Sequence, residues 1–310
     1  MDKLGFCMIK ILGIPTTLGC NKKGCDLAPS ALRSGGLTLA LKSSNLEYED
    51  LGDIVIDNTA LSSSSIKNLD QIIETSENVF VELTRSISPG DKVLSVGGDH
   101  SMAIGTIFVS TARFSDLSLI WIDAHADCNS PQTSPTGNVH GMPLSTVLGD
   151  SLFSKFDHIP VKKENVILIG IKDVDEAEWE YLKENKITYY TIDDIVEKGM
   201  GEIWAEIDHK IGLRPLHVSM DIDGLDYDIA PGTGIVNNGG INYREIKYLV
   251  KKISTKNLVA VDIAEINPLN DIENKTRDLA IELACDYFGG KWTNYERYLH
   301  SSAVHEVASQ

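Results

Sequence analysis

Leu119-Ile120-Trp121-Ile122-Asp123-Ala124-His125-Ala126-Asp127 is a four-residue apolar run that closes in three metal-type ligands. Three other segments are built alike. Val93-Leu94-Ser95-Val96 leads to Gly97-Gly98-Asp99-His100, and Leu216-His217-Val218-Ser219-Met220 leads to Asp221-Ile222-Asp223. Leu258-Val259-Ala260-Val261 leads to Asp262-Ile263-Ala264-Glu265. A short apolar run is what a strand buried on both faces looks like, as in a parallel sheet. In open α/β sheets, ligands bind beyond the carboxyl ends of the strands. The four runs therefore predict one sheet edge where two histidines and several carboxylates gather.

Outward from these runs, strand and helix signals alternate. Residues 8–13, 92–96, 117–122, 165–170, 188–191, 215–220 and 258–261 read as strands. Residues 29–41, 66–86, 176–185, 203–211, 243–253 and 277–288 read as helices, the first with Pro29 at an early position. This alternation predicts the α/β class, a doubly wound parallel sheet with helices on both faces. No low-complexity linker and no internal repeat divides the chain, so one domain over residues 1–290 is expected. Residues 291–310 are polar and aperiodic and read as a C-terminal tail.

The chain has 310 residues, 42% hydrophobic and 24% charged, which is ordinary for a globular protein with a substantial core. Lysine plus arginine number 28 against 45 acids, a formal net charge of -17. Such a chain repels nucleic acid and anionic membranes, so neither is expected as a partner. Most of that charge serves solubility; the part in the proposed site would be offset by a bound cation. The five cysteines form no CxxC pair, and the odd count fits a reducing compartment with buried free thiols. No run approaches the roughly 20 apolar residues of a membrane span, and Lys10 interrupts the apolar amino-terminal stretch. A cytoplasmic protein is expected.

Asp123, His125 and Asp127 recur at every second position, which in extended backbone puts all three on one side. Asp221 and Asp223 follow the same logic. With His100 there are four carboxylates and two imidazoles. Any one of them alone reads as a strand-end cap or a core histidine. Six at matching strand ends read as a site. One divalent ion cannot use so many ligands, and uncompensated carboxylates repel each other. Two ions with bridging carboxylates resolve this, and oxygen and nitrogen ligands without thiolate suit manganese better than structural zinc. Water held between two ions ionises near neutral pH, so hydrolysis by attack on an electron-poor carbon is expected.

Five motifs carry a resemblance. They are Gly97-Gly98-Asp99-His100-Ser101, Asp123-Ala124-His125-Ala126-Asp127, Gly137-Asn138-Val139-His140-Gly141, Ser219-Met220-Asp221-Ile222-Asp223-Gly224-Leu225-Asp226 and Asp262-Ile263-Ala264-Glu265-Ile266-Asn267-Pro268. Together they resemble the ureohydrolases, the binuclear manganese enzymes that include arginase and agmatinase, over about residues 13–288. The resemblance implies a three-layer sandwich with two Mn2+ per chain. His100, Asp123, Asp127 and Asp221 would hold one ion; Asp123, His125, Asp221 and Asp223 would hold the other. Asp127 would also orient a metal-bridging hydroxide, Glu265 would grip the substrate guanidinium as a carboxylate can, and His140 would shuttle a proton to the leaving amine.

The resemblance extends to substrate and assembly. Asn129, Thr136 and Asn138 match positions that hold an α-carboxylate in arginases. Asp175, with Asp173 and Glu178 alongside, matches acids that bind the α-amino group, although acids there also suit a helix start. Hydrolysis of L-arginine to L-ornithine and urea is the leading expectation, with agmatine or another guanidino substrate as the rival. A non-catalytic metal-binding relative and a zinc deacetylase on a related fold fit the ligand set less well. Ile235-Val236 stand where arginases continue with Thr and Pro, a departure near the guanidinium. Arg244 and Glu245 resemble an intersubunit ion-pair segment, which implies a homotrimer, alternatively a hexamer.

Overall fold

The computed structural model describes residues 7–57 and 66–300. The first strand, β1 (Ile9–Ile14), is buried throughout. Two short helices follow, α1 (Ala28–Ser34) and α2 (Leu37–Ser43), where the sequence predicts one. Gly35-Gly36 divides them, and Gly36 at φ 97° turns the chain in a way that Cβ-bearing residues resist. Next come β2 (Tyr48–Asp53), α3 (Leu69–Ser86), β3 (Lys92–Gly97), α4 (Ala103–Arg113), β4 (Ser118–Ile122) and α5 (Pro143–Val147). They are followed by β5 (Val166–Ile171), α6 (Glu176–Glu184), β6 (Thr188–Thr191), α7 (Ile192–Lys198) and α8 (Met200–Ile211). The chain continues with β7 (Leu216–Asp221), α9 (Tyr243–Ile253), β8 (Leu258–Ala264), α10 (Lys275–Tyr287) and α11 (Asn294–Leu299).

The described strands form one sheet in the order β2-β1-β3-β8-β7-β4-β5-β6, every pairing parallel. One face carries Ile11, Leu94, Ile120 and Ile167 against Leu32 and Leu41 of α1 and α2, Ile207 of α8, Leu249 of α9 and Leu283 of α10. The other carries Leu119, Trp121 and Leu168 against Ile72 of α3, Ile107 of α4, Val147 of α5 and Leu182 of α6. The molecule is therefore helix, sheet, helix, the doubly wound class. Each such fully buried side chain contributes about 1.5–3 kcal/mol. The strands that lead to His100, Asp123, Asp221 and Glu265 occupy the four central places, so their carboxyl ends share one edge.

Several elements gave no periodic apolar signal. Edge strand β2 is half-exposed and polar, and α7 is acidic at its start. Helix α4 is buried nearly all round, so it lacks a polar face to set its period. The stretch expected as a tail from residue 291 departs from that reading in its described part. Trp292 is fully buried, and α11 follows it. Arg297 of α11 pairs with Asp278 of α10 and donates to the Asp278 carbonyl at 3.2 Å. A buried aromatic, the Arg297–Asp278 pair and hydrogen bonds between Lys291 and Ser44 hold this segment, and none leaves a periodic pattern. No helix among the described residues is long and apolar enough to cross a membrane.

Candidate active site

Each ligand-bearing segment is turned by its own side chains. After β3, Asp99 accepts from the Ser101 N–H at 3.0 Å and starts a 3-10 turn that carries His100. Its other oxygen accepts from the Gly19 N–H at 2.9 Å, so Asp99 is a cap and lies outside the ligand clusters. After β4, Asp123 accepts from the His125 N–H at 2.7 Å; at the end of β7, Asp221 accepts from the Asp223 N–H at 2.8 Å. These are local Asp turns. The extended spacing expected for Asp123, His125 and Asp127 is thereby corrected. The strand ends at Ile122, and Asp127 holds φ 50°. Folding back, rather than alternation, brings the side chains together.

The result is two adjoining clusters. His100 Nδ1 lies 3.1 Å from Asp123 Oδ2, 3.1 Å from Asp127 Oδ2 and 3.4 Å from Asp221 Oδ2. His125 Nδ1 lies 3.3 Å from Asp123 Oδ1 and 3.3 Å from Asp223 Oδ2. Ligand atoms of His100, Asp123 and Asp221 lie within 4.8 Å of one another, as do those of Asp123, His125 and Asp223. Asp123 belongs to both. Ligands on opposite sides of an ion at about 2.0–2.3 Å lie about 4–4.6 Å apart, so both clusters have the size of a cation site. One imidazole proton cannot serve three carboxylates around His100, whereas one cation can.

The electrostatics say the same. Burial and the Asp123 charge push Asp127 up to about 6. Burial, opposed by His125 and aided by Asp123, pushes Asp223 up to about 6. Burial works against charged His100 and His125, yet the surrounding carboxylates raise both. In the same way His100 and His125 overcome burial and hold Asp123 low. Protons on imidazoles thus do here what divalent cations do better.

Two supporting side chains were missed in the sequence. Trp121 stacks on the His100 ring with centroids 4.0 Å apart and donates to Asp123 Oδ2 at 3.0 Å. Ser219 Oγ lies 3.0 Å from His100 Nε2, so ring and carboxylate are oriented from behind. Each stands two positions before a motif aspartate, and that strand period was the available signal. Asp262, by contrast, is no strand-end residue. β8 runs on to Ala264, and Asp262 Oδ2 meets His217 Nε2 at 2.8 Å inside the sheet.

The clusters open into a cavity of about 150 Å³ lined by Asn129, Thr136, His140, Asp173, Asp175, Glu178, Ile235 and Glu265, among others. Glu265, at φ 60°, donates its N–H to the Gly98 carbonyl at 2.8 Å. Its Oε1 accepts from the His100 N–H at 3.1 Å and meets His140 Nδ1 at 3.0 Å. Burial disfavours a charged His140, but the Glu265 carboxylate prevails and lifts its pKa to about 10. Elsewhere in the wall Asp175 Oδ2 accepts from Asn129 Nδ2 at 3.0 Å. Glu178 reaches the cavity wall, yet its oxygens accept the Cys128 and Asp175 N–H groups at 3.0 and 3.1 Å, which caps α6; burial and Asp127 push it up to about 7. Asn138 stands outside the wall, its Oδ1 accepting from Lys67 Nζ at 2.9 Å. Arg244 is exposed at the start of α9, and Glu245 accepts from the Asn242 N–H at 3.0 Å.

A parallel sheet with paired His/Asp clusters and a polar cavity at its carboxyl edge defines a metal-type hydrolase site on an α/β frame. Comparison with known proteins narrows the class. The arginase family model matches residues 8–289. Arginase of Bacillus subtilis (strain 168) is 37% identical over 298 residues, covering 94% of this chain and 99% of the relative. The solved structure of arginase from Bacillus subtilis subsp. subtilis str. 168 superposes with a TM-score of 0.88 at 36% identity, covering 92% of this chain and 100% of that one. Entamoeba histolytica arginase, solved in complex with L-ornithine, gives a TM-score of 0.84 at 26% identity, covering 91% and 98%. The chain belongs to the arginase family and is an enzyme, a hydrolase of the arginase type.

Proposed function

We propose that this chain hydrolyses L-arginine to L-ornithine and urea with two manganese ions. The observation that carries the reading is the pair of clusters sharing Asp123, opening on a cavity with Glu265, His140 and Asp175 in its wall. His100, Asp123, Asp127 and Asp221 would hold one ion and Asp123, His125, Asp221 and Asp223 the other. Their oxygen and nitrogen set suits manganese. When bound, such a pair supplies a water nucleophile that ionises near neutral pH.

The chain's own groups do the rest. Asp127 accepts a hydrogen bond from the attacking water and fixes its approach. Glu265 keeps Oε1 occupied by His100 and His140 and turns Oε2 toward the substrate guanidinium, which pairs with a carboxylate through charge-assisted hydrogen bonds. His140, held protonated at neutral pH by Glu265, passes its proton to the departing amine, which cannot leave as an anion. Asp175 receives the α-amino group, with Asp173 and Glu178 adding negative charge. Asn129 and Thr136 donate to the α-carboxylate, and Asn138 supports that side from behind. The ornithine complex of the Entamoeba relative supports an amino-acid product at such a site. A cytoplasmic homotrimer with Arg244 and Glu245 at its interfaces completes the reading.

Urea release from the manganese-loaded protein tests it, with arginine, agmatine and guanidinobutyrate side by side. Buried donors left unpaired by agmatine should make arginine clearly preferred. Equal efficiency with agmatine would remove the arginine assignment.

A further inference from the structure

We propose that Cys25 is a positioning residue for Glu265, its thiol donating to Oε2 and holding that oxygen in line for the substrate guanidinium. The proposal rests on the reading above, in which Glu265 grips the substrate. The sequence gives Cys25 no role beyond packing. The structure puts its Sγ 3.4 Å from Glu265 Oε2, with Cys25 itself fully buried.

The contact is built rather than incidental. Cys25 opens a 3-10 turn behind Gly24, whose φ is 117° and whose added Cβ would meet Asn267 Oδ1 at 2.1 Å. Asn267 stands two residues past Glu265, and its Nδ2 donates to the Lys23 carbonyl at 2.9 Å. The segment carrying the thiol and the segment carrying the carboxylate are therefore clamped to each other. Neighbouring donors point elsewhere. Lys22 Nζ goes to the Gly234 carbonyl at 2.6 Å, and the Cys20 thiol goes to the Lys22 carbonyl at 3.0 Å.

A thiol has the right strength for this task. Oε1 already takes two nitrogen donors, so an unheld Oε2 would swing about that anchor. A lysine or arginine there would neutralise the carboxylate and compete with the substrate. An S–H is a weak, neutral donor, which orients the oxygen and still yields to a guanidinium N–H. A hydrogen bond with the Cys20 side chain, burial and the Glu265 charge all push the Cys25 thiol up, which favours the S–H form that can donate.

The test compares Cys25→Ala, which removes the donor, with Cys25→Ser, which keeps one, in the full manganese-loaded chain. In Cys25→Ala the KM for arginine should rise roughly three- to tenfold at near-constant kcat, the mark of one lost binding contact. Cys25→Ser should recover most of that rise. Equal kinetics in the two variants, or a fall in kcat alone, overturns the proposal. A second measurement does not depend on turnover. The infrared S–H band that vanishes in Cys25→Ser should lie below that of a free thiol and move up in Glu265→Ala. A band that stays put overturns the proposal. A band that moves in a chain releasing no urea from arginine supports the contact and removes the arginine reading.

Discussion

Asp127 and Glu265 are both held in the left-handed backbone region, at φ 50° and 60°. Such conformations cost of order 1–3 kcal/mol each and persist where surrounding structure imposes them. Here the Asp127 carbonyl accepts from the Leu144 N–H at 3.0 Å, and the Glu265 N–H is tied to Gly98. Asp127→Asn should fold but lose about a hundredfold in kcat, because a misplaced nucleophile costs about that much. Near-normal turnover at full metal content would remove Asp127 from the role assigned to it. His140 makes a pH prediction. Its pKa is raised to about 10, so the proton proposed for the leaving amine is present at neutral pH and is lost as pH rises through that value. Its pairing with Glu265 likewise stabilises the fold fully below the unfolded value of about 6.5, and that contribution fades as pH climbs through about 10. Bound cations favour the neutral ring and draw the limb down. The alkaline limb of kcat/KM should therefore fall at or below about pH 10 and vanish, with most of the activity, in His140→Asn. A limb that persists in that variant belongs to another group. At this scale the gathering of His100, Asp123, His125, Asp127, Asp221 and Asp223 was legible because their types cluster at strand ends. The strained backbone was not, since nothing about an aspartate or a glutamate in a sequence announces positive φ.

Each ligand reaches its place through the element that ends beside it, and the joints are tight. A Cβ at Gly98 would stand 1.8 Å from the Thr16 carbonyl oxygen, which is backbone and cannot swing aside. Gly98→Ala should destabilise the chain by about 2–4 kcal/mol, within the range for severe backbone conflicts, and displace His100 with it. Chemical denaturation and metal content measure the two effects, and an unchanged midpoint would show that the β3 joint is looser than this. The elements legible in the sequence were those with apolar runs or a two-sided pattern, such as β4, β7 and α9. Edge strand β2 and helix α7 were hidden by polar composition, and α4 by its uniform burial. The Asp turns after β4 and β7 were misread as extended because spacing at every second position fits both conformations.

For the molecule as a whole, the described part of the carboxyl-terminal segment belongs to the packed structure. Trp292 is fully buried and α11 is pinned to α10, so Trp292→Ala should cost about 3–5 kcal/mol, read as a lowered thermal midpoint. A midpoint within a degree of the parent would make the segment dispensable. The doubly wound class was legible from alternation alone, but the order of strands was not, since pairing partners leave no local trace. That order governs how the protein can be made. Strands β2, β1 and β3 lie on one side of β8 and β7, and β4, β5 and β6 lie on the other. A ribosome that has delivered everything through β6 has produced two three-stranded flaps with no shared edge. His100 then hangs from one flap, and Asp123, His125 and Asp127 from the other. Only when the last two strands emerge and wedge between the flaps do the ligands meet. A nascent chain of this protein should therefore be unable to complete the His/Asp clusters until synthesis has passed Ala264, and it must keep two apolar sheet edges from foreign partners until then.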